Sequence, residues 1–333
     1  GTTLYAHNAD KLMIPASNRK LFAAATIANC LGLDTRLHTN VYRDGQDLIL
    51  RGDGDPSLGS WRYTRENDFD RVTIPAAWKY GNLGTDYSAP VDAITWGENE
   101  LPGDRAVAEP AMYAGNALRD ALEQRGVAVM NVRVNTEPRD WGTPIATLAS
   151  PFIGDLLRTV LKNSHNLYAE MLLKRAGDGT YPGAFERERL VLTSDAHVPA
   201  NTFRFADGSG LAPDDLVEPR ATIAVLRWMN HPSRRAFWWD TLATPNQEGT
   251  LHYRLVELEP RLRGKTGTIN GVNALSGIIA MPNGRFRYFS IMVNHHIGDS
   301  DEAVKIIDRI VTLAATPGAP LRDEGIDLVF ATK

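Results

Sequence analysis

The sequence predicts an α/β protein, an antiparallel sheet flanked by helices with a smaller β-rich inserted domain. Three observations predict it. Residues 261–294 read as three strands joined by Asn-Gly and Pro-Asn-Gly turns, with an amphipathic helix after them. An alanine-rich helical stretch follows Ser17. Between the two, residues 37–100 break into short strand-like pieces set among Gly, Asp and Pro clusters. A chain of 333 residues suits about two domains. The expected division is 1–36 with 101–333 as the main domain and 37–100 as the insertion.

Taken in order, Thr2–His7 reads as a strand ending in a turn at Asn8-Ala9-Asp10. Leu21, Ala24, Ala25 and Ala28 share one helical face, and Gly32 is the expected stop. Their small side chains allow close approach, which places the helix at the centre of a domain. Thr39–Tyr42 and Asp47–Leu50 are strand-like, and aromatics gather at Trp61, Tyr63, Trp78, Tyr80, Tyr87 and Trp96. Ala111–Arg125 reads as a helix, closed by Gly126, with a strand expected over Val127–Val134. Phe152–Leu161 and Leu167–Arg175 form two helices with a break at 163–166, and Val217–Asn230 forms another. Strands follow over Arg261–Ile269, Val272–Met281 and Phe286–Asn294. The last helix is capped near Asp299 or Ser300 and carries the stripe Val304, Ile307, Val311 and Ala314. Its sheet is expected to draw on both chain ends.

Composition removes several function classes. Thirty-six basic and 40 acidic residues leave a net charge of −4, without the basic stripe that phosphate neutralisation requires, so no nucleic-acid partner is expected. No run of about 18 apolar residues offers a membrane span. The first ten residues lack the basic start and apolar core of a signal peptide. The chain is therefore expected to begin after processing or trimming. One cysteine, Cys30, permits no intrachain disulfide and reads as a buried small hydrophobe. Asp53 and Asp55 alternate like the start of a calcium loop, but the remaining ligand pattern is missing. His295 and His296 are adjacent, so a strand cannot turn both rings toward one ion. Neither a metal nor a cofactor is expected.

Three short motifs carry chemistry. Amide cleavage through a covalent intermediate needs a nucleophile, a base for its proton and donors for the oxyanion. Ser17-x-x-Lys20 sets a hydroxyl and an amine one helical turn apart. The alanine-rich surroundings predict a partly desolvated amine, able to act as a base. Ser164-x-Asn166 sets a second hydroxyl beside an amide. Lys265-Thr266-Gly267-Thr268 lies on the first strand of the final sheet, where Gly267 admits a substrate backbone and Lys265 offers a cation to a carboxylate. Of the 12 serines, only Ser17 has a lysine three residues on, and only Ser164 an asparagine two residues on. Gly208-Ser209-Gly210 lacks the spacing of a nucleophile elbow and reads as a turn.

S-x-x-K, S-x-N and K-T-G in this order resemble the penicillin-recognising serine acyltransferases. Segments 14–25, 52–58, 163–173, 207–211, 248–251 and 264–277 are similar to the low-molecular-mass class C penicillin-binding proteins, of the penicillin-binding protein 4 type. The resemblance implies a transpeptidase/β-lactamase-like fold with an all-helical subdomain. It implies an extracytoplasmic serine D-alanyl-D-alanine carboxypeptidase/endopeptidase. Its substrates would be peptidoglycan stem peptides, and β-lactams its covalent inhibitors. It further implies that Ser17 is the nucleophile, Lys20 its base, Ser164 a proton relay and Asn166 a holder of the substrate peptide. Lys265 and Thr266 would fix the terminal carboxylate, and the backbone N–H groups of Ser17 and Thr268 would form the oxyanion hole.

Family members usually carry two insertions between the first two motifs, and an interval of 147 residues is short for both. Residues 78–90 resemble the substrate-facing stretch of the first insertion. Trp78 and Tyr87 there are candidates for substrate contact or for packing between domains. Where relatives that prefer diaminopimelate stems carry an acidic residue, this chain has Asn82. Two alternatives share the motifs. A β-lactamase would need a deacylating glutamate, and Glu170-Met171-Leu172-Leu173-Lys174 lies too close to Ser164 and ends in lysine. A non-catalytic penicillin-binding sensor domain would trap a D-Ala-D-Ala peptide without turning it over.

Overall fold

A computed structural model describes residues 2–58, 74–79, 82–134 and 140–318, and the backbone of 328–332. Trp61, Tyr63, Tyr80 and Gly81 lie outside the described residues. In chain order the first elements are β1 (Thr3–Ala6), α1 (Arg19–Leu31), β2 (Arg36–Asp44), β3 (Asp47–Gly52), β4 (Glu100–Leu101), β5 (Arg105–Ala106), α2 (Pro110–Glu123) and β6 (Ala146–Phe152). Next come α3 (Ile153–Lys162), α4 (Asn166–Ala176), α5 (Tyr181–Ser194), β7 (Phe203–Arg204), β8 (Leu216–Val217), α6 (Pro219–Met229) and α7 (Arg235–Thr241). The chain closes with β9 (Leu262–Ile269), β10 (Val272–Ala280), β11 (Phe286–Asn294), α8 (Ser300–Ala315) and β12 (Leu328–Thr332).

The described chain forms two compact units. One holds Gly1–Thr26, Leu157–His165 and Glu188–Lys333; the other holds Ile27–Leu156 and Asn166–Arg187.

The first unit is built on a five-stranded antiparallel sheet in the order β1-β12-β11-β10-β9. Asn270-Gly271 makes the β9–β10 turn, with Gly271 at φ +73°, a left-handed value that glycine adopts without strain. Strand β10 is buried along all but its last residue, so both its faces are covered. On one face Leu275, Ile279, Phe289 and Ile291 pack against Ile307, Ile310, Val311 and Ala314 of α8. On the other lies α6, followed at once by Asn230, whose Nδ2 donates to the Tyr288 hydroxyl at 2.8 Å. The predicted cap of α8 is present: Asp299 Oδ1 accepts from Asp301 N at 2.9 Å. Strand β12, absent from the sequence reading, links β1 to β11, so the sheet does draw on both chain ends.

The second unit has a three-stranded antiparallel sheet, β3-β2-β6. Val41, Leu50, Leu58, Ile94 and Ala114 form one of its cores, and Ala89, Val91, Ala93, Leu167 and Met171 another. Within 37–100 the described strands are β2, β3 and the start of β4; the remainder is turns and short 3-10 pieces. Strand β6, beyond residue 100, completes the sheet.

The strand expected over Val127–Val134 is not formed. Residues 130–134 alternate apolar and polar, yet no described strand pairs with the segment, and Met130 is 94% exposed. Alternation specifies a strand only where a partner supplies ladder hydrogen bonds. Two helices went unread, α5 and α7.

Candidate active site

Ser17 sits on a short 3-10 turn, Ala16–Asn18, that feeds directly into α1. Ala16 holds φ +46°, a costly backbone state for a residue with a Cβ. Its surroundings maintain it, since Ala16 is fully buried. Helical spacing brings Lys20 back over the turn: its Nζ lies 3.0 Å from Ser17 Oγ and donates to the Ser209 carbonyl at 2.6 Å. Lys20 is completely buried, as the alanine-rich surroundings predict.

Ser164 occupies the break between α3 and α4 with φ +63°, also left-handed. A neighbouring loop pins the preceding turn: Thr250 N donates to the Lys162 carbonyl at 3.0 Å. Gly249, at φ +119°, leaves the space where a Cβ would stand 2.9 Å from that same oxygen. The strained turn aims Ser164 Oγ at Lys265, whose Nζ donates to it at 2.8 Å and to the Thr266 carbonyl at 2.8 Å.

Lys265 is fully buried on β9. Burial, and then the positive charge of nearby Lys20, hold its amine well below the ordinary lysine value. Two motif amines are thus close enough to repel. Together these contacts bring Ser17, Lys20, Ser164 and Lys265 into one place within the first unit.

Gly267 allows β9 to approach the nucleophile turn. A Cβ there would stand 2.8 Å from the Pro15 carbonyl and 3.0 Å from Ser17 N. Thr266 is half-buried and Thr268 exposed. The Thr268 hydroxyl accepts from Asn273 Nδ2 at 3.2 Å, and Asn273 in turn meets His296 and Ser300.

Asn166 opens α4, two residues after Ser164, and belongs to the second unit. Its Nδ2 donates to the Tyr87 carbonyl at 2.7 Å. The Tyr87 side chain is 47% exposed, whereas Trp78 is only 6% exposed and offers little surface for contact. The Asn82 carbonyl accepts from the hydroxyls of Thr85 and Ser88 and anchors the turn that presents Tyr87.

Sequence reasoning missed the groups around Lys20. Arg19, next to it, is fully buried and forks onto Glu188 at 2.6 and 2.7 Å. Burial raises the Glu188 carboxyl and Arg19 opposes the rise. Burial, then Asp207, pushes the Asp215 carboxyl well above its ordinary value. The segment 207–211 was visible as a family-like string, but nothing local in it shows that a carbonyl meets the lysine.

A family model, D-Ala-D-Ala carboxypeptidase 3 (S13) family, matches residues 1–63 and 87–316. The D-alanyl-D-alanine carboxypeptidase of Actinomadura sp. (strain R39) is 26% identical over 418 residues, covering 92% of this chain and 78% of that relative. Among solved structures, penicillin binding protein 4 (dacB) from Haemophilus influenzae is similar with a TM-score of 0.78 at 18% identity, covering 89% of this chain and 88% of that one. The same Haemophilus protein complexed with a β-lactam gives 0.72 at 16% identity, covering 93% and 92%. Bd3459, a predatory peptidoglycan endopeptidase from Bdellovibrio bacteriovorus, gives 0.62 at 16% identity, covering 96% and 90%. These structures show the fold, a penicillin-binding protein 4 and β-lactamase-like architecture.

Proposed function

This chain belongs to the D-Ala-D-Ala carboxypeptidase 3 (S13) family, and from that premise we infer that it is a serine D-alanyl-D-alanine carboxypeptidase/endopeptidase working through an acyl-enzyme on Ser17. The carrying observation is the pair of hydrogen bonds, Lys20 to Ser17 and Lys265 to Ser164, held within one compact unit.

Ser17 Oγ attacks the carbonyl of the penultimate D-alanine as Lys20 Nζ takes its proton. The Ser17 and Thr268 N–H groups receive the developing oxyanion, and the close approach of Gly267 to Ser17 N supports that pairing. Ser164 Oγ passes a proton to the departing amine. That amine is free D-alanine in the carboxypeptidase reaction and the cross-linked stem in the endopeptidase reaction. Water then releases the acyl group and restores Ser17.

Lys265 and Thr266 receive the terminal carboxylate. A substrate anion arriving beside a buried amine favours its charged form, opposing the burial and the Lys20 charge that depress Lys265. Asn166 holds the substrate peptide, and the exposed ring of Tyr87 offers contact area. The side chain of Trp78 serves packing, and Asn82 shapes the Tyr87 turn. Residues 37–100 are an insertion on a catalytic domain of 1–36 and 101–333.

The substrates are peptidoglycan stems, which lie outside the cytoplasmic membrane, and the protein works there. No helix among the described residues is long and apolar enough to cross a membrane. β-Lactams enter the same path and stall as slow esters. D-Alanine release from a peptide ending in D-Ala-D-Ala tests the reading. Turnover lost in Ser17→Ala supports it, and stoichiometric trapping of the peptide without turnover favours a sensor instead.

A further inference from the structure

Resting on this acyl-transfer reading, the inference concerns what keeps Lys20 in register with Ser17. Lys20 acts as a base only once it has lost its extra proton; it then has two N–H donors and one lone pair, and the lone pair must face the serine hydroxyl. The Ser209 carbonyl, 2.6 Å from Lys20 Nζ, can only accept. It takes an N–H, never competes for the lone pair, and so sets the amine's rotation.

That carbonyl is itself held. Asp207, fully buried, accepts from Gly210 N at 2.7 Å through Oδ1. Through Oδ2 it accepts from Ala212 N at 2.7 Å and from Ser209 Oγ at 3.3 Å. These bonds close residues 207–212 into one fixed loop. Gly210, at φ +85°, seats that loop on the nucleophile turn, since a Cβ there would stand 2.0 Å from the Ala16 carbonyl. Arg19 fastens the other side: its Nε donates to the Asp207 carbonyl at 2.9 Å, and its guanidinium forks onto Glu188 and lies 3.8 Å above the Phe205 ring. A fork and a ring face together leave the guanidinium one orientation.

We propose that Asp207, Gly210 and Arg19 are positioning residues of the acyl transfer, a clamp that sets the Ser209 carbonyl on Lys20 and thereby the Lys20 amine on Ser17. The bonds described for Asp207 and Arg19 run to the 207–212 loop, Glu188 and Phe205, not to the Ser17 hydroxyl or the Lys20 amine. Their loss therefore slows the chemical step and spares the initial, non-covalent encounter with substrate.

The test is rapid-mixing kinetics of the full chain with a fluorescent penicillin, which separates the non-covalent constant K from the acylation constant k2, with a thermal melt of each variant. Asp207→Asn keeps one acceptor oxygen and turns an N–H₂ toward backbone donors. Its k2 should fall about tenfold or more, with K within about threefold of wild type. Ile307→Val trims the core between the sheet and α8 and reports the effect of lost stability alone, with k2 retained. Wild-type k2 in Asp207→Asn overturns the proposal. So does an equal loss of k2 in Ile307→Val at a matching melting temperature.

Glu188→Gln, which weakens the fork on Arg19 but keeps its shape, should lower k2 in the same direction by less. It decides the matter if Asp207→Asn does not fold, and wild-type k2 there overturns the proposal too. A wild-type protein that is not acylated at Ser17 contradicts the functional reading instead, so the two failures are distinguishable.

Discussion

Lys20 Nζ, 3.0 Å from Ser17 Oγ, is placed to remove the proton that makes the serine a nucleophile. Lys20→Ala should lower acylation by about 10²–10⁴-fold, the range that a positioned base contributes, measured as k2 for a β-lactam. Lys265 carries a pH signature. Its amine is depressed in the folded chain relative to its ordinary 10.5, first by burial and then by Lys20. Below the folded value both states are charged, and the fold bears the whole cost of a buried cation. Between the folded value and 10.5 the unfolded chain binds more protons, so stability rises with pH, and above 10.5 the cost is gone. Lys265→Met should therefore be more stable than wild type at neutral pH, by on the order of 1–3 kcal/mol. The difference should shrink as pH approaches 10.5 in melts taken across that range. A difference that grows with pH contradicts this assignment. The motif residues were legible because S-x-x-K, S-x-N and K-T-G are local spacings. Asp207 and Glu188 were not, because they reach Arg19 across 188 and 169 positions of chain, which no local pattern encodes.

Elements supply the strain that these residues need. The 249–250 loop lies against the 162–164 turn in which Ser164 is left-handed. Gly249→Ala meets the Lys162 carbonyl and a backbone angle unsuited to a side chain. It should cost roughly 1–3 kcal/mol and slow acylation, read by melting and by k2 together; unchanged values of both would mean that the loop is not a pin. Elements bounded by clear turns, β9–β11, or carrying an apolar stripe, α8, were read correctly. Helix α5 was not. Its buried face is Tyr181, Ala184, Glu188, Val191 and Leu192, so a charge interrupts the apolar stripe. Pro182 and Gly183 in its first turn look like a loop signal, although proline is tolerated there. The reverse error at 127–134 came from a stripe without a partner strand.

Across the whole molecule, the sheet that carries Lys265 joins the two ends of the chain. Strand β1 reaches β11 only through β12. Deleting residues 328–332 should lower the melting temperature and the yield of folded protein far more than a surface substitution does; a truncated chain that melts like wild type would show that β12 is dispensable. This closure was half legible, since the first strand reads clearly and its neighbour was not recognised. The pairing of β6 with β2, from beyond the stretch that composition marks as an insertion, was not legible, because no local pattern encodes it. The central claim is that one serine, held against a buried lysine, becomes acylated. Intact-mass analysis after penicillin treatment, followed by peptide mapping, tests it most directly. A single adduct on the peptide containing Ser17, absent from Ser17→Ala, is the predicted result; an adduct on another residue, or none, would contradict the account.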